Sequence, residues 1–299
     1  MLFGFIGLGQ MGKPMALNLA RKFDVIAFDK RHVTLPEDPP NKLKLAAGIA
    51  DLAECDCVFL SLPSAEILRK VLFAEEGLAT CLKEGALIVD TSTVEYNATL
   101  EVSSKLSKLG LRFVDAPVSG MQSRAENGTL TAMCGGDAAD IAELESTLIS
   151  MASKILHMGP TGSGQLTKLI NQLLFDINMA ALAEILPISA KLGLNSKKIG
   201  EVINSGTGRS YASEFFIPNI LRNDFSKGYP MQEAYKDLIS GAELSAHQVL
   251  PTPLLAAATA TYQRALHEGH GEKDKGAMIL VFEELLGCRF RCQDGGNND

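Results

Sequence analysis

The chain has 299 residues, 46% of them hydrophobic and 21% charged, with a formal net charge of −7. Those proportions belong to a globular protein with one large or two ordinary domains and a sizeable core. The acidic balance, with no dense run of Lys or Arg, excludes nucleic acid or an acidic membrane as the main partner.

The first element is the apolar strand Leu2-Phe3-Gly4-Phe5-Ile6. It leads into Gly7-Leu8-Gly9-Gln10-Met11-Gly12, an amphipathic helix, and a second apolar strand closed by Asp29. Each part has a mechanical task in dinucleotide binding. Gly7 permits a tight turn, Gly9 lets the backbone approach a pyrophosphate, and Gly12 lets helix and strand pack closely. The pyrophosphate would rest on the helix N-terminus, where unpaired N–H groups and the helix dipole favour negative charge. Asp29 stands 22 positions after Gly7, close to the spacing of an acid that binds the adenosine ribose hydroxyls. That acid favours NAD, because a carboxylate repels a 2′-phosphate; Lys30 and Arg31 soften the preference and leave NADP possible.

Short apolar runs at 58–62, 86–90, 111–115 and 130–134 alternate with helical patterns at 65–73, 97–109 and 137–150. This alternation predicts βαβ units, a mostly parallel, doubly wound α/β sheet and a dinucleotide-binding domain over 1–161. Ligands bind at the carboxyl ends of such strands. Asp29, Leu62-Pro63, Ser92-Thr93 and Ala116-Pro117 should therefore rim one crevice.

After Gly162 the strand signals stop. Residues 164–191 read as one helix, roughly 40 Å long at 1.5 Å per residue, which Pro187 should kink or end early. Four more helices are predicted near 196–204, 231–248, 252–267 and 274–286. Together they make an all-helical domain over 162–292, and the tail 293–299 reads as disordered.

Six cysteines in a chain of this length do not make a disulfide scaffold. Cys55/Cys57 and Cys288/Cys292 lack the paired spacing of a zinc site, and His267/His270 lack a third ligand, so no metal is expected. No secretory signal is expected ahead of the strand at Leu2, and no run of 18 apolar residues without charge or strong polarity suggests a membrane span. The expectation is a soluble intracellular protein, cytoplasmic or in the mitochondrial matrix after removal of a transit peptide.

Three segments carry possible chemistry. In the stretch from Asp115 to Thr131, Ser119 and Gly120 follow a strand end; their hydroxyl and N–H groups could bind a carboxylate, or form an ordinary polar turn. In the stretch from Gly162 to Gln172, positions 164, 168, 171 and 172 share one helix face. Lys168 and Asn171 therefore project together, and Leu166, Leu169, Ile170, Leu173 and Leu174 around them suggest that the helix is largely buried there. Desolvation lowers the pKa of a buried lysine, which suits acid–base work near neutral pH; the alternative is a lysine whose head reaches solvent. Tyr235-Lys236-Asp237-Leu238 alone carries no signal.

Taken together, these segments resemble in order and spacing the signatures of the β-hydroxyacid dehydrogenase family, from Leu2 to about Leu286. The stretch Ser205-Gly206-Thr207-Gly208-Arg209-Ser210 looks closer to its 3-hydroxyisobutyrate dehydrogenases than to other members. The resemblance implies a Rossmann domain followed by an all-helical domain, with homo-oligomers built through the helices. It implies Lys168 as the catalytic lysine, Ser119 and Gly120 on the substrate carboxylate, and Asn171 positioning substrate. Leu62 and Pro63 would contact the middle of the cofactor, Thr93 its nicotinamide side, and Lys236 would close over cofactor or substrate with Asp237 in support. Two departures stand out: Met121 where the family usually has a second glycine, and Tyr96 where a proline is common. The implied reaction is reversible hydride transfer between NAD(P) and a small 3-hydroxy acid such as 3-hydroxyisobutyrate. A reductase of tartronate, glyoxylate or succinate semialdehyde is the nearest alternative, and a non-catalytic nucleotide-binding scaffold the alternative of another class.

Overall fold

The computed structural model describes residues 1–292; the tail 293–299 lies outside the described residues. The chain forms two compact units, Met1–Lys168 and a second from Leu169 on.

The first unit is built on a nine-stranded sheet. Its strands are β1 (Phe3–Ile6), β2 (Val25–Phe28), β3 (Leu43–Leu45), β4 (Cys57–Leu60), β5 (Leu87–Asp90), β6 (Arg112–Asp115), β7 (Val118–Ser119), β8 (Leu130–Gly135) and β9 (Ala152–Gly159). They lie in the order β3-β2-β1-β4-β5-β6-β8-β7, with β9 also on β8. The six strands from β3 to β6 run parallel; β8 is antiparallel to β6 and β7, and parallel to β9. The order reverses between β1 and β4, the switch point where such sheets open a crevice. The helices α1 (Gly12–Ala20), α2 (Ala65–Phe73), α3 (Leu78–Cys81), α4 (Tyr96–Lys108), α5 (Met121–Glu126) and α6 (Ala138–Leu148) cover both faces. Side chains alternate across each strand. Cys57, Phe59, Leu87 and Val89 join Met15, Leu19, Leu144 and Leu148 in one core layer. Val58, Leu60 and Ile88 join Leu68, Leu72, Val102 and Leu106 in the other. Burial on both faces explains why these strands read as continuous apolar runs.

The sequence pattern missed β3, β7 and β9. Each has a polar or exposed face: β9 buries only its first residue fully, and β7 is a two-residue strand.

Helix α7 (Ser163–Lys191) begins in the first unit and continues into the second, followed by α8 (Ser196–Ser205), α9 (Tyr211–Leu221), α10 (Met231–His247), α11 (Pro253–His267) and, after a 3-10 turn (Lys275–Met278), α12 (Ile279–Leu286). Pro187 does not end α7 early. The helix runs four residues further to Lys191 and stops near Gly193, whose φ of +78° reverses the chain. A proline so close to the end costs few backbone bonds. Helix α9 was not anticipated. It is apolar nearly all round, with Phe216, Ile217 and Ile220 buried, so no amphipathic period marks it, and Pro218 lies inside it.

By length and composition α7 is long and apolar enough to cross a membrane. Its Met179, Ala180, Ala183 and Leu186 instead pack in the core of the second unit, with Phe216, Leu238, Tyr262 and Val281. The expectation that residues 169–174 would be largely buried fails: Ile170 and Leu174 are 58% and 59% exposed. The stripe of aliphatic residues was wider than the face that the second core occupies.

Candidate active site

At the end of β1, Gly7 takes a φ of +95°, and a Cβ there would sit 2.2 Å from the Ser61 carbonyl oxygen. A Cβ on Gly12 would lie 1.9 Å from the Gly7 carbonyl oxygen, so no other residue lets α1 start so close to the strand. Gly9 differs: its Cβ would meet only the tip of Arg31, 3.6 Å away. That open side leaves the room a pyrophosphate needs, beside Met11 where α1 begins without a side-chain cap.

Asp29 follows β2 and accepts the Leu8 N–H at 2.7 Å, the Arg31 N–H at 2.8 Å and the Arg31 guanidinium at 3.2 and 3.3 Å. Burial pushes its carboxyl up, but the Arg31 and Leu8 bonds outweigh that and hold it below the usual carboxylate range. A cavity of about 560 Å³ opens here, lined by Leu8, Gly9, Gln10, Lys13, Arg31 and His32 among others. The Gln10 amide also reaches Gln122 Oε1 at 2.7 Å, tying the turn to α5. These residues fit the adenosine and pyrophosphate of a dinucleotide.

Two strands along, Leu62 and Pro63 follow β4, and Ser92 and Thr93 follow β5. Ser92 Oγ accepts the Leu62 N–H at 2.8 Å, and the Ser92 N–H donates to Asp90 Oδ1 at 3.0 Å. Thr93 is exposed. Ser119 ends β7 in register with Thr131, so it is held on a strand and not in a turn. The turn follows at Gly120 (φ +143°) and Met121 (φ +60°). A left-handed Met is costly for a residue with a Cβ, which explains why glycine suits this position.

Lys168 is 9% exposed and lies in the second turn of α7. The Asp115 carboxylate, at the end of β6, anchors the turn before it by accepting the Gly162 N–H at 2.6 Å and the Gln165 N–H at 2.9 Å. The Gln165 amide donates to the Ser92 carbonyl at 2.8 Å and accepts the Val94 N–H at 3.3 Å. The first unit thus brings together the glycine turn, Asp29, Leu62, Ser92, Gln165 and Lys168 at one end of the sheet.

Asn171, Lys236 and Asp237 belong to the second unit. Asn171 is exposed. Asp237 accepts from Gln172 at 3.1 Å, and Lys236 pairs with Glu233 one turn earlier. Tyr96 opens α4 and lays its ring against Gly162, where a Cβ would be 2.5 Å away. Arg31, Asp90, Asp115 and Gln165 were not singled out as site residues; Asp90 and Asp115 at strand ends were the available signal. Equally unmarked was the buried cluster in the second unit. There Lys275 pairs with Asp176, Tyr262 donates to the same carboxylate at 3.0 Å, and the ammonium lies 4.3 Å from the Phe175 ring centre. Among the described residues, no three His, Cys, Asp or Glu side chains gather as a metal site would require.

Residues 2–159 match the family model described as the NAD binding domain of 6-phosphogluconate dehydrogenase, and residues 162–282 the one described as NAD-binding of NADP-dependent 3-hydroxyisobutyrate dehydrogenase. The chain is 37% identical over 293 residues to the 2-(hydroxymethyl)glutarate dehydrogenase of Eubacterium barkeri, covering 95% of each. It is 30% identical over 290 residues to the mitochondrial 3-hydroxyisobutyrate dehydrogenase of Rattus norvegicus, covering 94% of this chain and 87% of that protein. The solved structure of Mycobacterium tuberculosis 3-hydroxyisobutyrate dehydrogenase with L-serine superposes with a TM-score of 0.81 at 28% identity, covering 94% of this chain and 98% of that one.

Proposed function

This chain belongs to the β-hydroxyacid dehydrogenase family, whose members are NAD(P)-dependent oxidoreductases acting on hydroxyl groups, and on that premise we propose that it oxidises small 3-hydroxy acids reversibly, using Lys168 as general acid–base. The observation that carries the reading is Lys168 itself: a nearly buried lysine one turn beyond a helix start that is hydrogen-bonded to the loop after β5. The two relatives named above act, by their names, on 3-hydroxyisobutyrate and 2-(hydroxymethyl)glutarate. Both substrates contain a primary alcohol one carbon from a carboxylate-bearing carbon. We take that shared unit, a 2-substituted 3-hydroxypropanoate, as the substrate class.

In this reading Gly7, Leu8, Gly9, Gln10, Met11 and Gly12 hold the pyrophosphate and Asp29 the adenosine ribose, with NAD preferred over NADP. Leu62, Pro63 and Thr93 flank the cofactor's remaining length. When bound, a nicotinamide supplies the hydride acceptor or donor. Ser119 and the Gly120 N–H hold the substrate carboxylate, while Lys168 Nζ takes the hydroxyl proton in oxidation and returns it to the aldehyde oxygen in reduction. Asn171 orients the substrate, and Lys236, supported by Asp237, contributes from the helical domain. Residues 1–161 serve the cofactor and, through Ser119 and Gly120, the substrate carboxylate, and 162–292 serve substrate and assembly. A homo-oligomer is supported by Ile170, Leu174, Ile185 and Ile188, which recur at helical spacing along α7 and are all more than 40% exposed. The six cysteines, all free, suit a reducing compartment such as the cytoplasm or the mitochondrial matrix.

Initial rates with NAD and NADP test the reading, using 3-hydroxyisobutyrate, 2-(hydroxymethyl)glutarate and the methyl ester of the former. Turnover of the acids and poor turnover of the ester are expected. Equal kcat/KM for acid and ester would remove the carboxylate anchor, and no turnover of any 3-hydroxy acid would remove the function.

A further inference from the structure

We propose that Gln165 is a positioning residue, whose amide locks residues 92–94 to the first turn of α7 and thereby sets where Lys168 stands. The inference rests on Lys168 being the acid–base group proposed above.

Gln165 is 3% exposed, and it is held through both its backbone and its side chain. Its N–H donates to Asp115 Oδ2 at 2.9 Å. Its side chain spans to the loop after β5, donating to the Ser92 carbonyl at 2.8 Å and accepting the Val94 N–H at 3.3 Å. Ser92 in turn accepts the Leu62 N–H at 2.8 Å. One amide therefore ties the loops after β4 and β5 to the helix start, and Lys168 follows three positions later.

The helix start has no slack. A Cβ on Gly164 would lie 2.3 Å from the Met133 carbonyl oxygen and 2.7 Å from Asp115 Oδ2, so the turn is pressed onto the sheet. The clamp needs an acceptor and a donor at opposite tips of one side chain, which only an amide of this length provides here. Methionine matches the shape but leaves the Ser92 carbonyl and the Val94 N–H unpaired. Misplacement of a reacting group by about 1 Å can cost roughly 100-fold in rate.

The test uses Gln165→Met and Gln165→Ala in the full-length protein. The expected result is a kcat lowered by about 10–100-fold, with the NADH dissociation constant, read from NADH fluorescence, kept within about threefold. In the protein without cofactor, hydrogen exchange at the Val94 amide should quicken, a readout that needs no turnover. In a Lys168→Ala background, adding Gln165→Met should lower the residual rate by less than about threefold, because no lysine remains to be misplaced. Wild-type kcat in both single variants would overturn the proposal, as would the same fold-loss in the Lys168→Ala background as alone. Failure of both variants to fold, by circular dichroism, would assign the amide to stability and overturn it too. If Lys168→Ala alone keeps the wild-type rate, the lysine reading falls and this inference with it. If Lys168→Ala is inactive while the Gln165 variants are unimpaired, only this inference falls.

Discussion

Replacing Asp90 with Asn should change stability by an amount that depends on pH. Asp90 ends β5 and is fully buried; one oxygen accepts the Ser92 N–H, and the other has no partner among the described residues. Burial first, then the nearby Asp115 carboxylate, raises its pKa from 3.8 to about 6, against the opposing hydrogen bonds from Ser92. The folded state therefore holds the proton more tightly than the unfolded chain. Stability from this group is present below about pH 4, is lost as pH rises toward about 6, and stays lost above that. A shift of roughly two units corresponds to about 3 kcal/mol at 1.36 kcal/mol per unit. Asn cannot ionise, so the stability of Asp90→Asn relative to wild type should climb by about 3 kcal/mol between about pH 4 and pH 7. Urea unfolding across that range measures it, provided that the two proteins keep equal m values. A difference that does not vary with pH would refute the reasoning, since it would mean that the carboxyl is not desolvated.

Lys168→Ala should lower kcat by roughly 10²–10⁴-fold while leaving NADH affinity nearly unchanged in a fluorescence titration; retention of more than about half the rate would reject the acid–base role. Asp29→Ala should weaken NAD far more than NADP, because it removes the ribose acceptor and the repulsion of a 2′-phosphate and frees Arg31; an unchanged affinity ratio by calorimetry would reject Asp29 as the determinant. Met121→Gly should stabilise the fold by about 0.5–1 kcal/mol, the relief of a left-handed methionine less the greater unfolded-state freedom of glycine; a lower melting temperature would contradict it. Ile185→Glu should shift the molar mass by light scattering toward the monomer if α7 carries the subunit contact, and an unaltered mass would place that contact elsewhere.

The parts of the fold that were legible are those where one physical pattern dominates. Strands β1, β4 and β5 are buried on both faces, so burial alone wrote them as apolar runs. Strand β7 is only half-buried and β9 largely exposed, and both gain their place from pairing with β8, a non-local fact that no local window holds. Pro187 does not end the helix for a related reason. A proline forbids one backbone bond, but whether a helix ends there depends on what else packs around it, and Pro187 is buried next to Leu186, which packs in the core of the second unit.

The site divides along the same line. The glycines, Asp29 and Lys168 could be singled out as candidates because such residues at such positions demand a reason, whereas Ser119 by itself read equally as part of an ordinary polar turn. Gln165 could not be singled out, because a glutamine in a first helical turn is unremarkable by type. Its reason lies in the backbone around Ser92. Beyond Asp90 the strand ladder ends, so the Leu62, Ser92 and Val94 N–H groups and the Ser92 carbonyl have no strand to pair with. A buried polar group left unpaired costs about 1–3 kcal/mol, and Ser92 and Val94 are both buried. Three side chains meet that demand: Ser92 Oγ, Asp90 and Gln165. A sequence shows where a strand stops but not which distant side chain will satisfy its orphaned groups. Candidates for chemistry can therefore be singled out by type, whereas the side chains that complete the backbone around them are found only by following each unpaired backbone group to its partner.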